Sequence, residues 1–130
     1  MTTPTIELVR TFIEMWAQPN GIDRAVKEYF TDRTVWENHG LVTTTGIEEA
    51  LGVNQHFVDK IGMARIVVDI DAIAQDGNKV LTERVDRILD AQDGTIMAAP
   101  TLGIFEVEDG KIVAWRDYFD SKEALEAQAD

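Results

Sequence analysis

Cysteine is absent from the chain, which excludes disulfides, thiolate nucleophiles and zinc sites built on sulfur. Its absence also suits a reducing compartment, and a cytoplasmic location is expected. Positive charge is scarce: 12 lysines and arginines stand against 24 aspartates and glutamates, a net charge of −12. That balance repels phosphate backbones and anionic lipid, so neither nucleic acid nor a membrane surface is an expected partner. The surplus acid is enough to keep the protein in solution. No apolar run approaches membrane-spanning length. The opening "MTTPTIELVRTF" lacks the basic-then-apolar order of a secretory signal. His39 and His56 are too few and too ill-spaced for a metal site, so both read as non-catalytic and no metal is expected.

Apolar residues are not scarce. They make up 45% of 130 residues, enough for one real core and too short a chain for two ordinary domains. Residues 1–130 therefore read as a single domain.

Helical spacing comes first. In "TTPTIELVRTFIEMW", after a cap and a proline near the first turn, Ile6, Val9, Phe12, Ile13 and Trp16 form one apolar stripe, which "QPNG" stops. "IDRAVKEYF" reads as a short second helix, with Ile22, Ala25, Val26, Tyr29 and Phe30 apolar. "RTVWENHG" reads as a short strand leading into a turn. "TGIEEALGVNQHFVDKI" is a third helix, with Ile47, Leu51 and Phe57 or Val58 facing inward. Beyond Gly62 the pattern alternates instead. "ARIVVDIDAIA", "KVLTERVDRILDA", "IMAAPTLGIFEVE" and "IVAWRDYF" read as strands joined at "QDGN", "QDGT" and "DGK". Pro100 inside a strand calls for an edge, a bulge or a bend. Asp69, Asp71 and Asp76 follow from alternation and the hairpin turn rather than from metal binding. "SKEALEAQA" reads as a closing helix capped by Ser121. The order predicts an α+β domain, a curved sheet wrapped around its helices.

Two strands carry charge where a core belongs. In "VAWRDYFD", Val113, Trp115, Asp117 and Phe119 share a face, so an aspartate sits among large apolar groups. In "TERVDRIL", Arg84 and Asp86 share a face with Val80, Thr82 and Ile88. Leu81, Val85 and Leu89 lie on the other face with Glu83 and Arg87, and periodicity does not say which face is inward. If the Arg84 face is inward, two carboxylates and one guanidinium leave a net −1, and one added proton makes the set neutral. Arg84 has donors enough for both carboxylates. One aspartate would then serve as acid and the other as base.

"TERVD" at 82–86, "GIFEVEDGKI" at 103–112 and "WRDYFD" at 115–120, together with "ENHG", resemble the limonene-1,2-epoxide hydrolase family. The resemblance runs from about Phe30 to Leu125. It implies the cone-shaped α+β fold of nuclear transport factor 2, ketosteroid isomerase and SnoaL-like proteins, with N-terminal helices packed into a strongly curved, mostly antiparallel mixed sheet. It also implies a homodimer, no cofactor, and a small apolar epoxide and water as reactants. Asp86 matches the general acid, Asp117 the base that activates water, and Arg84 the bridge between them. Asn38 matches an asparagine that holds the water. The family often places a tyrosine two positions earlier, where this chain has Trp36. An indole donates a hydrogen bond but accepts none, so Trp36 would donate to the water oxygen. By strand register Ile88, Ala99, Thr101 and Phe119 are the expected substrate-contacting positions. Two other functions suit the same fold. One is an isomerase or polyketide cyclase-like enzyme with a single carboxylate base, and the other a non-catalytic domain that binds an apolar ligand.

Overall fold

The computed structural model describes residues 4–128. Its elements run α1 (Thr5–Met15), α2 (Gly21–Tyr29), β1 (Phe30–Asn38), β2 (Val42–Thr45), α3 (Ile47–Ile61), β3 (Arg65–Asp76), β4 (Lys79–Leu89), β5 (Thr95–Glu108), β6 (Lys111–Phe119) and α4 (Ser121–Gln128). One six-stranded sheet has the order β2-β1-β6-β5-β4-β3. All neighbours are antiparallel except β1 and β6.

The stripe read from α1 is its buried face: Val9, Phe12, Ile13 and Trp16 are almost wholly enclosed, with Leu8 beside them. Phe12 is the hub. Its ring contacts Trp16, Tyr29, Phe30, Phe105 and Trp115 with centroids 5.3–6.1 Å apart. Burying such rings against one another is among the larger single contributions a small core can draw on. On α3, Phe57 turns inward and Val58 is left exposed at 39%.

The expectation of a strongly curved, cone-like sheet is corrected here. The sheet is open, neither closed nor strongly curled, and β2 and β3 are its two free edges. Enclosure comes from the helices instead: α1 packs on β3 and β4, α2 on β1, and α3 on β1 and β2. Pro100 forces no bend. It keeps regular register opposite Val85, and it lies one residue beyond the last β5–β6 pair, Thr101 with Phe119, so locally it is an edge residue.

Other local readings also change. Val42–Thr45 is a strand that four residues with three threonines did not announce. Phe30 starts β1 rather than ending α2. Ser121 does not cap α4: Asp120 does, its Oδ1 accepting from the Lys122 N–H at 3.0 Å. At the start of α1, Pro4 is the capping position and no side chain bonds there, while Thr2 and Thr3 lie outside the described residues.

Candidate active site

The open question about β4 has a clear answer. Val80, Thr82, Arg84 and Asp86 face inward, and Leu81, Glu83 and Arg87 face out. On β6, Trp115 and Asp117 face inward. Ile112 joins them, although strict alternation put it on the outer face. A one-residue bulge explains this: Glu106 pairs with Ala114 and Val107 with Ile112, so Val113 is the extra residue and the parity flips there.

β4, β5 and β6 are adjacent, so Arg84 meets both aspartates. Its Nε donates to Asp86 Oδ1 at 2.8 Å and its Nη2 to Asp86 Oδ2 at 3.1 Å. Nη2 also donates to Asp117 Oδ2 at 2.6 Å. Nη1 donates to Thr82 Oγ1 at 3.0 Å, and that hydroxyl donates to the Gly103 carbonyl at 3.3 Å. The Arg84 side chain is 0% exposed, and its guanidinium carbon lies 5.4 Å from the Trp16 ring and 5.7 Å from Phe105. Asp117 is held at both oxygens, because the Trp115 indole N–H donates to Oδ1 at 2.7 Å.

Burial works against the Arg84 charge, yet Asp117 and Asp86 outweigh it and hold the guanidinium proton more tightly than usual. Burial pushes the Asp86 carboxyl above the ordinary aspartate range; Arg84 opposes that shift and the charge of Asp117 adds to it. Three ionisable groups share one buried site, and burial favours a proton on Asp86.

The parallel β1–β6 pairing brings the N-terminal half of the chain to this site. Asn38 stands opposite Asp117 and Trp36 opposite Trp115. Trp36 stacks on Trp115 with centroids 4.7 Å apart and planes 8° from parallel. The Trp36 indole N–H and the Asn38 amide nitrogen are buried without a partner among the described residues. Both residues line a cavity of about 90 Å³ with Asp86 and Asp117. Ile88, Ala99, Thr101 and Phe119 line it too, so all nine positions singled out in the sequence converge, Arg84 bridging from beneath. The remaining wall is mostly apolar, including Phe57, Ile61, Met63 and Met97. By contrast His39 lies outside, its ring nitrogen 2.9 Å from Glu37. Asp69 pairs with Arg87 at the surface, at 2.8 Å. Among the described residues no three His, Asp or Glu side chains gather as a metal site would require.

Three supporting residues escaped the sequence reading: Thr82, Trp115 as a donor, and Gly103. Gly103 carried a signal, since glycine inside a strand often marks a close approach. A β-carbon there would collide with Arg84 Nη1 and lie 2.6 Å from Asp117 Oδ1.

A six-stranded mixed sheet covered by helices is the NTF2-like α+β fold, and here it carries a carboxylate–arginine–carboxylate cluster under an apolar cavity. The chain belongs to the limonene-1,2-epoxide hydrolase family: the model of that family's catalytic domain matches residues 3–129. It is 36% identical over 90 residues to epoxide hydrolase EphG of Mycobacterium tuberculosis, an alignment covering 68% of this chain and 56% of that protein. The chain thus spans little more than half of that curated relative. Its structure resembles that of a Mycobacterium tuberculosis LEH-like epoxide hydrolase, with a TM-score of 0.75 and 30% identity over 98% of this chain and 90% of the other. A SnoaL-like polyketide cyclase from Jannaschia sp. CCS1 shares the fold, with a TM-score of 0.74 at 20% identity over 95% of this chain and 90% of that one.

Gly103→Ala tests how tightly the cluster is packed. The added methyl must push Arg84 or Asp117 aside, so unfolding free energy should fall by roughly 1–3 kcal/mol and any turnover by at least ~10-fold. Gly52→Ala is the control, because open space surrounds that helical position. It should be neutral or stabilising by up to about 1 kcal/mol. Urea unfolding of both variants makes the comparison.

Proposed function

We propose that the chain is an epoxide hydrolase that adds water to a small, mostly apolar epoxide and releases a vicinal diol, with no cofactor. The observation that carries this reading is the single guanidinium donating to Asp86 and Asp117 at once beneath the cavity. An enzyme with one carboxylate base would need neither the second aspartate nor the bridge. A binding domain would gain nothing from two buried carboxylates, which are costly to desolvate.

In the proposed reaction Asp86 is the acid and Asp117 the base. Asp117 accepts a proton from water while the water oxygen attacks a ring carbon. The ring C–O bond breaks, and the departing oxygen takes the proton from Asp86. Asp86 ends ionised and Asp117 protonated, and proton return through solvent restores the start. Arg84 keeps the two carboxyls at fixed separation and offsets the one negative charge that remains throughout. Asn38 and Trp36 hold the water, Trp36 donating to its oxygen so that both hydrogens remain for Asp117 and Asn38. Ile88, Ala99, Thr101 and Phe119 shape the substrate's surroundings. Placing the reactants together supplies much of the acceleration, and acid–base transfer roughly 10²- to 10⁴-fold more.

The same reading takes the chain to be one domain that pairs with a second copy. Tyr118 and Leu102 face each other on the outer side of the sheet, exposed at 39% and 58%, with Val35 and Leu81 also exposed there. Those residues and the Arg116–Glu106 pair at 2.6 Å make a mixed apolar and polar face of the kind two-fold interfaces use.

Asp86→Asn and Asp117→Asn should each reduce diol formation by at least ~100-fold while the protein still folds, since an amide keeps some bonding to Arg84. Near-normal turnover in either folded variant would remove that residue from its role. A single turnover in heavy-oxygen water should label the diol and leave both aspartates unlabelled; label in either would mean a covalent ester. Light scattering at micromolar concentration should find the dimer, and a monomer alone would rule out the pairing.

A further inference from the structure

The side chains of Trp16, Trp36, Asn38, Thr44 and Asn54 each hold a buried polar atom with no hydrogen-bond partner in the protein, among the described residues. Four of these residues line the cavity, Thr44 being the exception. Trp36 already has a use there, in donating to the water, and Asn38 accepts from that water through its oxygen. Trp16 and Asn54 do not. They come from other elements, the C-terminal end of α1 and the middle of α3, and are only 1% and 8% exposed.

Asn54 is out of place by ordinary helix chemistry. Its neighbours on the inward stripe of α3 are Ile47, Ala50, Leu51, Phe57 and Ile61, and a leucine would suit both helix propensity and burial better. Its orientation is fixed from outside. The Asn54 Nδ2 donates to Asp23 Oδ1 at 2.7 Å, and an ionised carboxylate only accepts, so the amide cannot be turned round. The oxygen is therefore the unpartnered atom, an acceptor with nothing to accept from. Trp16 supplies the complement, an indole N–H with nothing to donate to. Trp16 and Asn54, with Ile22 and Met63, also border a second cavity of about 390 Å³ between α2 and α3. The two residues thus belong to one stretch of wall between the cavities.

We propose that Trp16 and Asn54 form an anchor for a hydroxyl group of the substrate, so that the preferred substrate is an epoxide that also bears an alcohol away from the ring. A hydroxyl is the smallest group that donates once and accepts at the same atom. It donates to Asn54 Oδ1 and accepts from Trp16 Nε1. The apolar wall holds the carbon skeleton between this anchor and the Asp86–Asp117 pair. Asp23 acts as a positioning residue, holding the amide with its oxygen free. The identity of the reacting group rests on the hydrolase reading; the anchor itself does not.

The test uses 1,2-epoxyalkanes of increasing chain length, each paired with its counterpart bearing a hydroxyl on the far carbon. Turnover is read as diol, and binding separately from the emission of the cavity tryptophans in the wild type and in Asp117→Asn. Leaving buried polar atoms unpaired disfavours the plain alkane, so at the best chain length the hydroxylated member should win by roughly 5- to 150-fold in kcat/KM and in affinity. Asn54→Leu should bring that ratio to within about 2-fold, chiefly by improving the plain alkane, because the unpaired acceptor is gone. Asp23→Ala, which leaves the wall of the cavity of about 90 Å³ intact, should weaken the ratio without abolishing turnover, and it serves if Asn54→Leu does not fold. Turnover of both series with no hydroxyl preference at any length would overturn the anchor. So would a preference that Asn54→Leu keeps in full. Tighter binding of the hydroxylated series without diol would uphold the anchor and overturn the hydrolase reading.

Discussion

Arg84 cannot be buried alone. A guanidinium with a fully enclosed side chain needs negative charge within hydrogen-bond reach, and removing one partner of such a set typically costs several kcal/mol, about 3–5. Two aspartates answer that need, and together they exceed it by one charge. The surplus is what creates a chemical site, because burial resists a net −1 and so raises the carboxyl of Asp86. Thr82, Trp115 and Gly103 are consequences of the same constraint. Thr82 takes the donor that neither carboxylate reaches, Trp115 fixes the far oxygen of Asp117, and Gly103 leaves room for the guanidinium.

The fold delivers these groups through strand adjacency. Neighbouring antiparallel strands bring Arg84 opposite Thr101 and Gly103 opposite Asp117, so three consecutive strands build one cluster. The parallel step from β1 to β6 joins this C-terminal machinery to Asn38 and Trp36, nearly eighty residues earlier in the chain. A tryptophan stack links the two halves, with Trp115 4.7 Å from Trp36 and 5.1 Å from Trp16. Helices α1, α2 and α3 roof the open sheet, so the cavity is sheltered because it is covered and not because the sheet curls around it.

Much of this was legible in the chain. Period-2 alternation places Arg84, Asp86 and Asp117 on strand faces, and charge counting asks for them to meet. The α1 stripe and the hairpin turns are equally direct. What was not legible depends on neighbours that one strand does not reveal. The parity of Ile112 depends on a bulge opposite Glu106 and Val107. The strand Val42–Thr45 exists because β1 pairs with it, not because of its own pattern. Sheet curvature is a collective property of six strands and their helices, and the element order and the family resemblance overestimated it. Asn54 carries no signal in the helix pattern; its burial follows from how α3 sits over β1 and β2.

The buried cluster works as an acid–base pair only if it holds one proton, which burial favours on Asp86. The most direct measurement follows the carboxyl carbons of labelled aspartates by NMR as pH rises from about 3 to about 9. One aspartate should stay protonated well above the ordinary value of about 3.9, and its signal should vanish in Asp86→Asn. Because that carboxyl keeps its proton more readily in the folded chain, its contribution to stability should be full at low pH and decline as pH climbs through its folded value. If every aspartate ionises at or below the ordinary value, the Arg84 cluster carries its −1 without a proton, and Asp86 is not the acid.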